Sequence, residues 1–261
     1  MSVSDRRGVL YPSRLPSFHR QLAPEDLAHL LRWVWLPRWD LPAGERLAQE
    51  VLPFPASNLV VEPTGTSLRG PTTGVSTRVL EGSGWAVGAL LRPAGLSGLG
   101  IEPASIRDSG CPFPDAALHG GVVEAMGCAD PDEGRRQAAA LMIAWLSERA
   151  GTPDDAALSA NDLEDLVAGE RSIVRVEQLA QRLGMSVRGV QRLTQRYIGL
   201  APLAVIRRYR LQEAALRLRE ESGYSIAEVA ADLGYADQAH LSSDFRKVLG
   251  LSPGAYRDRH D

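Results

Sequence analysis

The sequence has only two cysteines, Cys111 and Cys128, among its 261 residues. Two thiols this far apart do not form the cysteine cluster that a zinc-dependent alkyl-transferring DNA-repair enzyme needs. The histidines His19, His29 and His119 stand singly and do not form a metal-ligand pattern with nearby carboxylates. We therefore expect no metal, no cofactor and no enzymatic activity.

Long apolar runs are also missing. No stretch of about 18 consecutive apolar residues exists, so the sequence predicts no membrane-spanning helix and no membrane partner. Residues Met1 to Leu10 contain no long apolar segment and are not typical of a secretory signal peptide. The expected location is the cytoplasm, where both cysteines are expected to remain unpaired thiols.

Lysine is almost absent, since Lys247 is the single lysine among 29 basic residues, and the net charge is −3. The charge is unevenly distributed. Residues 171–261 carry 15 basic and 10 acidic side chains, a net charge of +5, whereas residues 1–170 carry 14 basic and 22 acidic ones, a net charge of −8. A basic C-terminal part on an acidic N-terminal part indicates a polyanionic partner for one end.

Short β-branched and aromatic runs, separated by glycine and proline, predict strands in the N-terminal part. These runs are Leu30–Leu36, Asn58–Val61, Thr77–Leu80 and Trp85–Leu91. We predict a β-rich domain, a barrel or sandwich over residues 1–114, that binds a small-molecule effector. Four tryptophans lie in this part, Trp33, Trp35, Trp39 and Trp85, and aromatic side chains often line such pockets. Trp33, Trp35 and Trp85 are the candidate ligand-binding residues, with a plain core role as the alternative.

Helical periodicity begins near residue 115. Asp130 and Pro131 predict a helix start, because Asp caps a helix and Pro fits its first turn. Apolar residues then recur at helical spacing: Ala138, Leu141, Met142, Trp145 and Leu146. Gly151 is predicted to end the helix. We predict a helical linker over residues 115–155, whose apolar stripe packs on its own domain or on a second copy in a dimer.

Two segments near the C-terminus, residues 176–186 and 226–236, resemble each other. The matches at an offset of 50 residues are Val176/Ile226, Leu179/Val229, Ala180/Ala230, Leu183/Leu233 and Gly184/Gly234. Each segment predicts a short amphipathic helix, with a small residue at a helix crossing and a glycine whose positive φ turns the chain. A helix, a tight turn and a second helix form the motif that places its second helix in the DNA major groove.

Capping residues support both motifs. Ser225 and Glu228 predict a capping box, and Ser186 is placed to cap the second helix of the first motif. Pro202–Glu220, between the motifs, predicts one helix with several apolar residues available for packing: Leu203, Ile206, Leu211, Ala215 and Leu218. Counted from Ala201 to Glu220, its length of about 30 Å, at about 1.5 Å per residue, is close to one turn of B-DNA. We predict that it holds two recognition helices in successive major grooves.

Residues 160–258 are similar to the DNA-binding domain of the AraC/XylS family of transcription regulators. The segments that carry the resemblance are Ser225–Leu241 and Phe245–Pro253, followed by Tyr256 and Arg257. The resemblance implies a seven-helix domain with two motifs that activates or represses promoters. The N-terminal part also resembles, through Leu91–Gly95, the β-rich sensor domains of such regulators.

The predicted DNA contacts lie opposite the apolar face of each recognition helix. In the first motif, where Val190 and Leu193 face inward, the candidates are Ser186, Arg188, Gln191, Arg192, Gln195 and Arg196. In the second motif, where Leu241 and Phe245 face inward, the candidates are Gln238, Ala239, His240, Ser242, Ser243, Arg246 and Lys247. Arginine suits the guanine edge and glutamine suits adenine, so we assign the early positions to bases and the later basic ones to phosphates.

The expected fold class is α+β, with a β-rich N-terminal domain and an all-helical DNA-binding domain over residues 156–261. The predicted function is sequence-specific transcription regulation under the control of a small-molecule effector. The alternative is an effector-independent regulator whose N-terminal domain mediates oligomerisation or another protein interaction. Expected partners are promoter DNA, the effector, a second copy in a homodimer, and RNA polymerase if the protein is an activator.

Overall fold

The computed structural model describes residues 17–220 and 223–258, so the prediction for Met1 to Leu10 lies outside the described residues. The strands of the N-terminal part are β1 (Ser17–Leu22), β2 (Leu31–Asp40), β3 (Arg46–Val51), β4 (Ser57–Glu62), β5 (Gly65–Arg69), β6 (Ser76–Glu81), β7 (Ser83–Trp85), β8 (Val87–Leu91) and β9 (Gly110–Pro112). All four apolar runs that predict strands lie in or across these elements, which confirms the β-rich prediction.

The larger sheet is antiparallel, with strand order β1-β2-β8-β4-β5-β9, and β7 pairs with the far end of β2. β3 and β6 form a separate two-stranded ribbon. Side chains alternate between the two faces of a strand. Each strand of the sheet therefore supplies residues to both sides. One face of the sheet is covered by helices, and residues of the other face border a cavity beneath the β3–β6 ribbon.

The helices on the first face are α2 (Ala116–Met126) and α3 (Pro131–Arg149), while the short α1 (Pro93–Gly98) follows β8. They share one apolar core with strand residues, in which Val34 and Leu59 pack with Val122 and Met142. The stripe of α3 thus packs within its own chain. The domain limits at residues 114 and 155 remain a prediction.

The predicted start of α3 is confirmed. The carboxylate of Asp130 accepts hydrogen bonds from the backbone N–H groups of Asp132, at 2.9 Å, and Glu133, at 3.3 Å. The prediction that Leu141 belongs to the buried stripe is wrong, because this side chain is 39% exposed. It lies beside α2 at Gly121, where an added methyl group would meet its Cδ1 atom at 3.4 Å.

The described residues from 155 to 258 contain seven helices, as the family resemblance implies. They are α4 (Asp155–Gly169), α5 (Val176–Arg182), α6 (Val187–Tyr197), α7 (Pro202–Glu220), α8 (Ile226–Asp232), α9 (Gln238–Leu249) and α10 (Pro253–Asp258). The predicted α+β class is therefore confirmed, with the strands in the N-terminal part and the helical domain after it.

The two predicted motifs are present at α5–α6 and α8–α9. Gly184 and Gly234 take the positive φ values of 63° and 73° that their turns require. The capping box is also confirmed, because Glu228 accepts from the Ser225 backbone N–H at 2.7 Å and the Ser225 hydroxyl accepts from the Glu228 N–H at 3.2 Å. Local sequence signals thus define both turns.

The helix α7 is buried on most of its surface, whereas the predicted apolar residues would bury only one face. The predicted packing residues Ile206, Leu211, Ala215 and Leu218 are buried, but Leu203 is 38% exposed, which contradicts its predicted role. Val205 and Ile206 fill the inward positions of that turn instead. Several polar residues of α7 are buried as well: Arg208, Arg210, Gln212, Glu213 and Arg217.

Candidate DNA interface and ligand cavity

The first recognition helix, α6, presents a polar face to solvent. The hydroxyl of Ser186 accepts a hydrogen bond from the Gly189 N–H at 3.1 Å and so caps the helix. Val190 and Leu193 are buried, as predicted. All the predicted contact residues of this motif are exposed: Ser186, Arg188, Gln191, Arg192, Gln195 and Arg196. The arrangement offers hydrogen-bond donors for base edges and positive charge for phosphates.

The second recognition helix, α9, is capped by Asp237, whose carboxylate accepts from the His240 N–H at 2.7 Å. Leu241 and Phe245 are fully buried. The candidates Gln238, Ala239, His240, Ser243, Arg246 and Lys247 are exposed, and Ser242 is half-buried. The His240 ring also contacts Tyr235 edge-on, with centroids 5.1 Å apart, and this contact restricts the orientation of the His240 side chain.

Buried polar contacts tie α7 to α4 and to the second motif. Arg210 donates to the carbonyls of Val167 at 2.7 Å and Glu170 at 2.6 Å, near the C-terminal end of α4. Arg217 donates to Asp232 at 2.8 Å, at the end of α8. The 19 residues of α7 span about 28 Å at about 1.5 Å per residue. Sequence reasoning missed these contacts, because arginines in a helix usually indicate a solvent face.

The N-terminal domain contains a cavity of about 600 Å³ between the larger sheet and the β3–β6 ribbon. Of the predicted ligand-binding residues, Trp33 and Trp35 line this cavity. Trp85 does not, because it packs against the helix-covered core on the other side. Trp39 also lines the cavity. The alternation of side chains along β2 places Trp33, Trp35, Pro37 and Trp39 on one face.

Charged side chains also line the cavity. Arg20, Arg69 and Arg78 supply positive charge, and Glu62 and Asp108 supply negative charge. The guanidinium of Arg78 pairs with Glu62. The Asp108 carboxylate accepts from the backbone N–H of Thr73 at 2.6 Å and from its hydroxyl at 2.9 Å. Both carboxylates therefore have protein partners, and the cavity has a positive balance.

One wall of the cavity contacts α7. The Phe54 ring lies edge-on to Trp33 at 6.0 Å and to Tyr209 of α7 at 5.6 Å, measured between centroids. Tyr209 is buried, and burial raises the pKa of its hydroxyl well above the ordinary value. A single aromatic side chain thus separates the cavity residue Trp33 from the helix that joins the two motifs.

An ion-pair cluster joins the two domains beside this wall. Arg32 of β2 lies 2.9 Å from Glu164 and 3.1 Å from Asp165, both on α4. Arg92 pairs with Asp165 at 2.5 Å. The Asn161 side chain accepts from the Ala94 N–H at 3.1 Å. The domain that holds the cavity is therefore fixed to the first helix of the helical domain.

The described part of the chain, residues 17–220 and 223–258, places no three His, Cys, Asp or Glu side chains together as a metal site. Cys111 and Cys128 are free thiols. Within the same residues, the helices lack the length and apolar character needed to span a membrane.

Two family models match the chain. A helix-turn-helix domain family matches residues 179–259, which include the second motif and all but the first three residues of the first. A domain of unknown function (DUF6597) matches residues 19–112, which include the strands that line the cavity.

Several known proteins are similar to this chain. An uncharacterized HTH-type transcriptional regulator of Haemophilus influenzae is 37% identical over 82 residues, 31% of this chain and 27% of that protein. A Streptomyces lividans protein named as an AraC-like transcription regulator is 40% identical over 60 residues, 23% of this chain and 19% of its own length. The crystal structure of apo ToxT from Vibrio cholerae is 10% identical, with a TM-score of 0.49, and the match covers 87% of this chain and 98% of ToxT.

The two motifs, their exposed polar helices and the family match define a helix-turn-helix protein. Its C-terminal part is an AraC-type helix-turn-helix domain. The chain spans about a quarter or less of the length of the two curated relatives described above.

Proposed function

We propose that the protein is a sequence-specific DNA-binding transcription regulator controlled by a small molecule that binds in the N-terminal cavity. The observation that carries the proposal is the pair of capped helices, α6 and α9, with exposed Arg, Gln, His and Lys side chains. Each is the second helix of a helix-turn-helix motif, and α7 joins the two motifs as one continuous helix. This arrangement suits two adjacent major grooves on one side of the duplex.

We assign base contacts to Arg188, Gln191 and Arg192, near the start of α6. Arginine reads the guanine O6/N7 edge and glutamine the adenine N6/N7 edge. Arg196 is exposed and lies near the end of α6, so we assign it a phosphate contact. In the second motif, Gln238 and His240 would face bases, with the later basic residues on phosphates.

Effector control is supported by the position of the cavity. A ligand against Trp33 would press on Phe54, and Phe54 contacts Tyr209 of α7. The loop before β6 also reaches α9, since the Val75 N–H donates to the Val248 carbonyl at 3.2 Å. A ligand that moves this wall would change how the two recognition helices are held relative to each other.

Other parts of the proposal concern partners and location. A regulator of this kind would act in the cytoplasm and would have no enzymatic activity. RNA polymerase would be a second partner if the protein activates transcription. A homodimer would place two copies on a site of doubled length. The alternative is an effector-independent regulator, in which the cavity would bind nothing that changes DNA affinity.

Selection of bound sequences from a random DNA library by the full chain tests DNA recognition. We expect an enriched site in two parts, with centres about one helical turn apart. A bound pool without an enriched sequence contradicts sequence-specific binding.

A thermal-shift screen of metabolites tests effector control, because a ligand of the folded state raises the melting temperature. The matched control is Thr77→Trp, which fills part of the cavity from an exposed position on β6. An effector should stabilise the parent protein, fail to stabilise the variant, and change DNA affinity. If no stabilising compound changes DNA affinity, the effector-independent alternative is correct.

A further inference from the structure

The cavity floor contains a repeated pairing of tryptophan with glycine. Trp35 is the register partner of Gly88 on β8, and Trp39 is the partner of Gly84 on β7. A methyl group added at Gly88 would lie 2.1 Å from Cε2 and Cζ2 of Trp35, and one at Gly84 would lie 2.4 Å from Cζ2 of Trp39. Both indoles therefore lie flat over the neighbouring strand, because only glycine leaves the space.

Hydrogen bonds fix the edges of both rings. The Trp35 Nε1–H donates to the Asn58 side-chain oxygen at 2.8 Å, and the Trp39 Nε1–H donates to the Glu81 carbonyl at 3.3 Å. One face of each ring is covered by the sheet. Both tryptophans line the cavity and are only half-buried, unlike the buried Trp33. Covering glycine is a known way to stabilise a sheet, but it does not require an indole beside a 600 Å³ cavity.

Positive charge lies beside the flat rings. Arg20 on β1 is the register partner of Trp35, so the two side chains leave the same face of the sheet. Its guanidinium carbon lies 4.2 Å from the centroid of the Trp33 ring. Arg69 also lines the cavity. The cavity lining holds three arginines, Arg20, Arg69 and Arg78, against two carboxylates, and this excess of one positive charge favours a negative ligand over a cation.

We propose that the cavity binds a planar aromatic anion, with its ring stacked on the open face of Trp35 and its negative charge beside Arg20. This inference rests on the proposed effector function and gives the effector its chemical class. Flat fixed indoles favour a flat ring over a flexible chain, because aromatic pairs gain from stacked or edge contacts beyond their buried area. A sugar is the polar competitor, because the lining also includes Gln49, whose side-chain oxygen has no hydrogen-bond partner among the described residues. The cavity volume is within the range that suits a drug-sized ligand.

Isothermal titration calorimetry with the full chain tests the class. The probes are naphthoate, the neutral ring naphthol, the cation naphthylmethylammonium, the flexible acid decanoate, and glucose. We expect naphthoate to bind at least about tenfold more tightly than the other four probes. Equal or tighter binding of decanoate, glucose or the cation would overturn the proposal.

Variants locate the contacts. Arg20→Gln should weaken naphthoate binding about tenfold and leave naphthol binding unchanged, since a hydrogen-bonded charge pair is lost. Trp35→Leu should weaken both aromatic probes by about tenfold. The matched controls are Arg46→Gln, on the exposed side of β3, and Trp85→Leu, outside the cavity, which should bind naphthoate like the parent protein. If Trp35→Leu does not fold, the test depends on Arg20→Gln, on the edge strand β1. Unchanged naphthoate affinity in the Arg20→Gln variant contradicts the proposal.

The outcomes also separate this inference from the proposed function. Cavity binding of decanoate or glucose would contradict the aromatic class and still support effector control. If none of the five probes binds, the aromatic class is wrong. The metabolite screen with Thr77→Trp then decides effector control independently.

Discussion

The hydroxyl of Tyr209 on α7 donates a hydrogen bond to Glu164 on α4 at 2.9 Å, and both side chains are buried. Arg32 of the cavity strand β2 reaches the other oxygen of the same carboxylate at 2.9 Å. One carboxylate therefore joins the cavity domain, the first helix of the helical domain and the helix between the motifs. A buried charge of this kind is stabilised only while its partners remain in place.

Replacement of Tyr209 by Phe removes one of these partners. Because the Glu164 oxygen then loses its hydrogen bond in a buried site, we expect Tyr209→Phe to lower the free energy of unfolding by about 1–3 kcal/mol. Urea denaturation measures this. Tyr224→Phe is the control, because Tyr224 is 45% exposed and should tolerate the loss of its hydroxyl. Equal stability of the two variants would show that the Tyr209 contact contributes little.

Acidification should loosen the first motif. The Asp154 carboxylate caps α4 by accepting from the Ala157 N–H at 2.7 Å, and it accepts from the Tyr197 hydroxyl of α6 at 2.9 Å. These bonds, the backbone bond first, lower the pKa of Asp154 below its ordinary value of 3.8. A lowered folded-state pKa gives stability that is present above the ordinary pKa and is lost as pH falls through the lowered one.

We therefore expect the melting temperature of the parent protein to decrease once the pH is below about 4. The melting temperature of the Asp154→Asn variant should decrease less over the same pH interval. Melting curves of the two proteins from neutral pH to pH 2 make the comparison. Parallel curves would assign the acid sensitivity to other carboxylates.

Gly199, between α6 and α7, is a further test of domain contact. Its φ is 78°, and an added methyl group would lie 2.9 Å from the backbone carbon of Pro103 in the N-terminal part. We expect Gly199→Ala to destabilise the protein by more than about 1 kcal/mol, because a side chain disfavours the positive φ and would clash with Pro103. Gly120→Ala in α2 has open space around it and should stabilise the helix by up to about 1 kcal/mol. Thermal unfolding of both variants checks the difference in sign.

Local signals account for what the sequence predicted well. The glycine turns, the Ser225 capping box and the inward pair Leu241 and Phe245 depend on residues a few positions apart, so short-range spacing predicts them. The cavity depends on strand register instead. Trp39 shares its face of β2 with Trp33 and Trp35, as strand alternation predicts, but Trp85 packs against the helix-covered core, and this depends on how β7 pairs with β2.

The contacts between the two domains could not be predicted from the sequence either. Arg32 meets Glu164, and Arg210 meets the end of α4, through contacts between residues far apart in the chain. An arginine at either position has the same local pattern as a solvated one. Burial and charge pairing become visible only when the chain is folded.

DNA readout by α6 gives the most direct test of the interface. Arg192 lies on the exposed face of α6 one turn before Arg196, and we assign the first to a base and the second to a phosphate. Arg192→Ala should weaken binding to the selected site by about 1–3 kcal/mol and relax the sequence preference at one position. Arg196→Ala should weaken binding to all sequences about equally and reduce the salt-dependence slope by about 1, because one phosphate contact is lost. The control for loss of one positive charge is Arg136→Ala, on the exposed side of α3, which should leave both affinity and slope unchanged. Fluorescence anisotropy on cognate and scrambled duplexes across a salt series measures all three variants. If Arg196→Ala alone relaxes the sequence preference, the two arginines have the opposite roles.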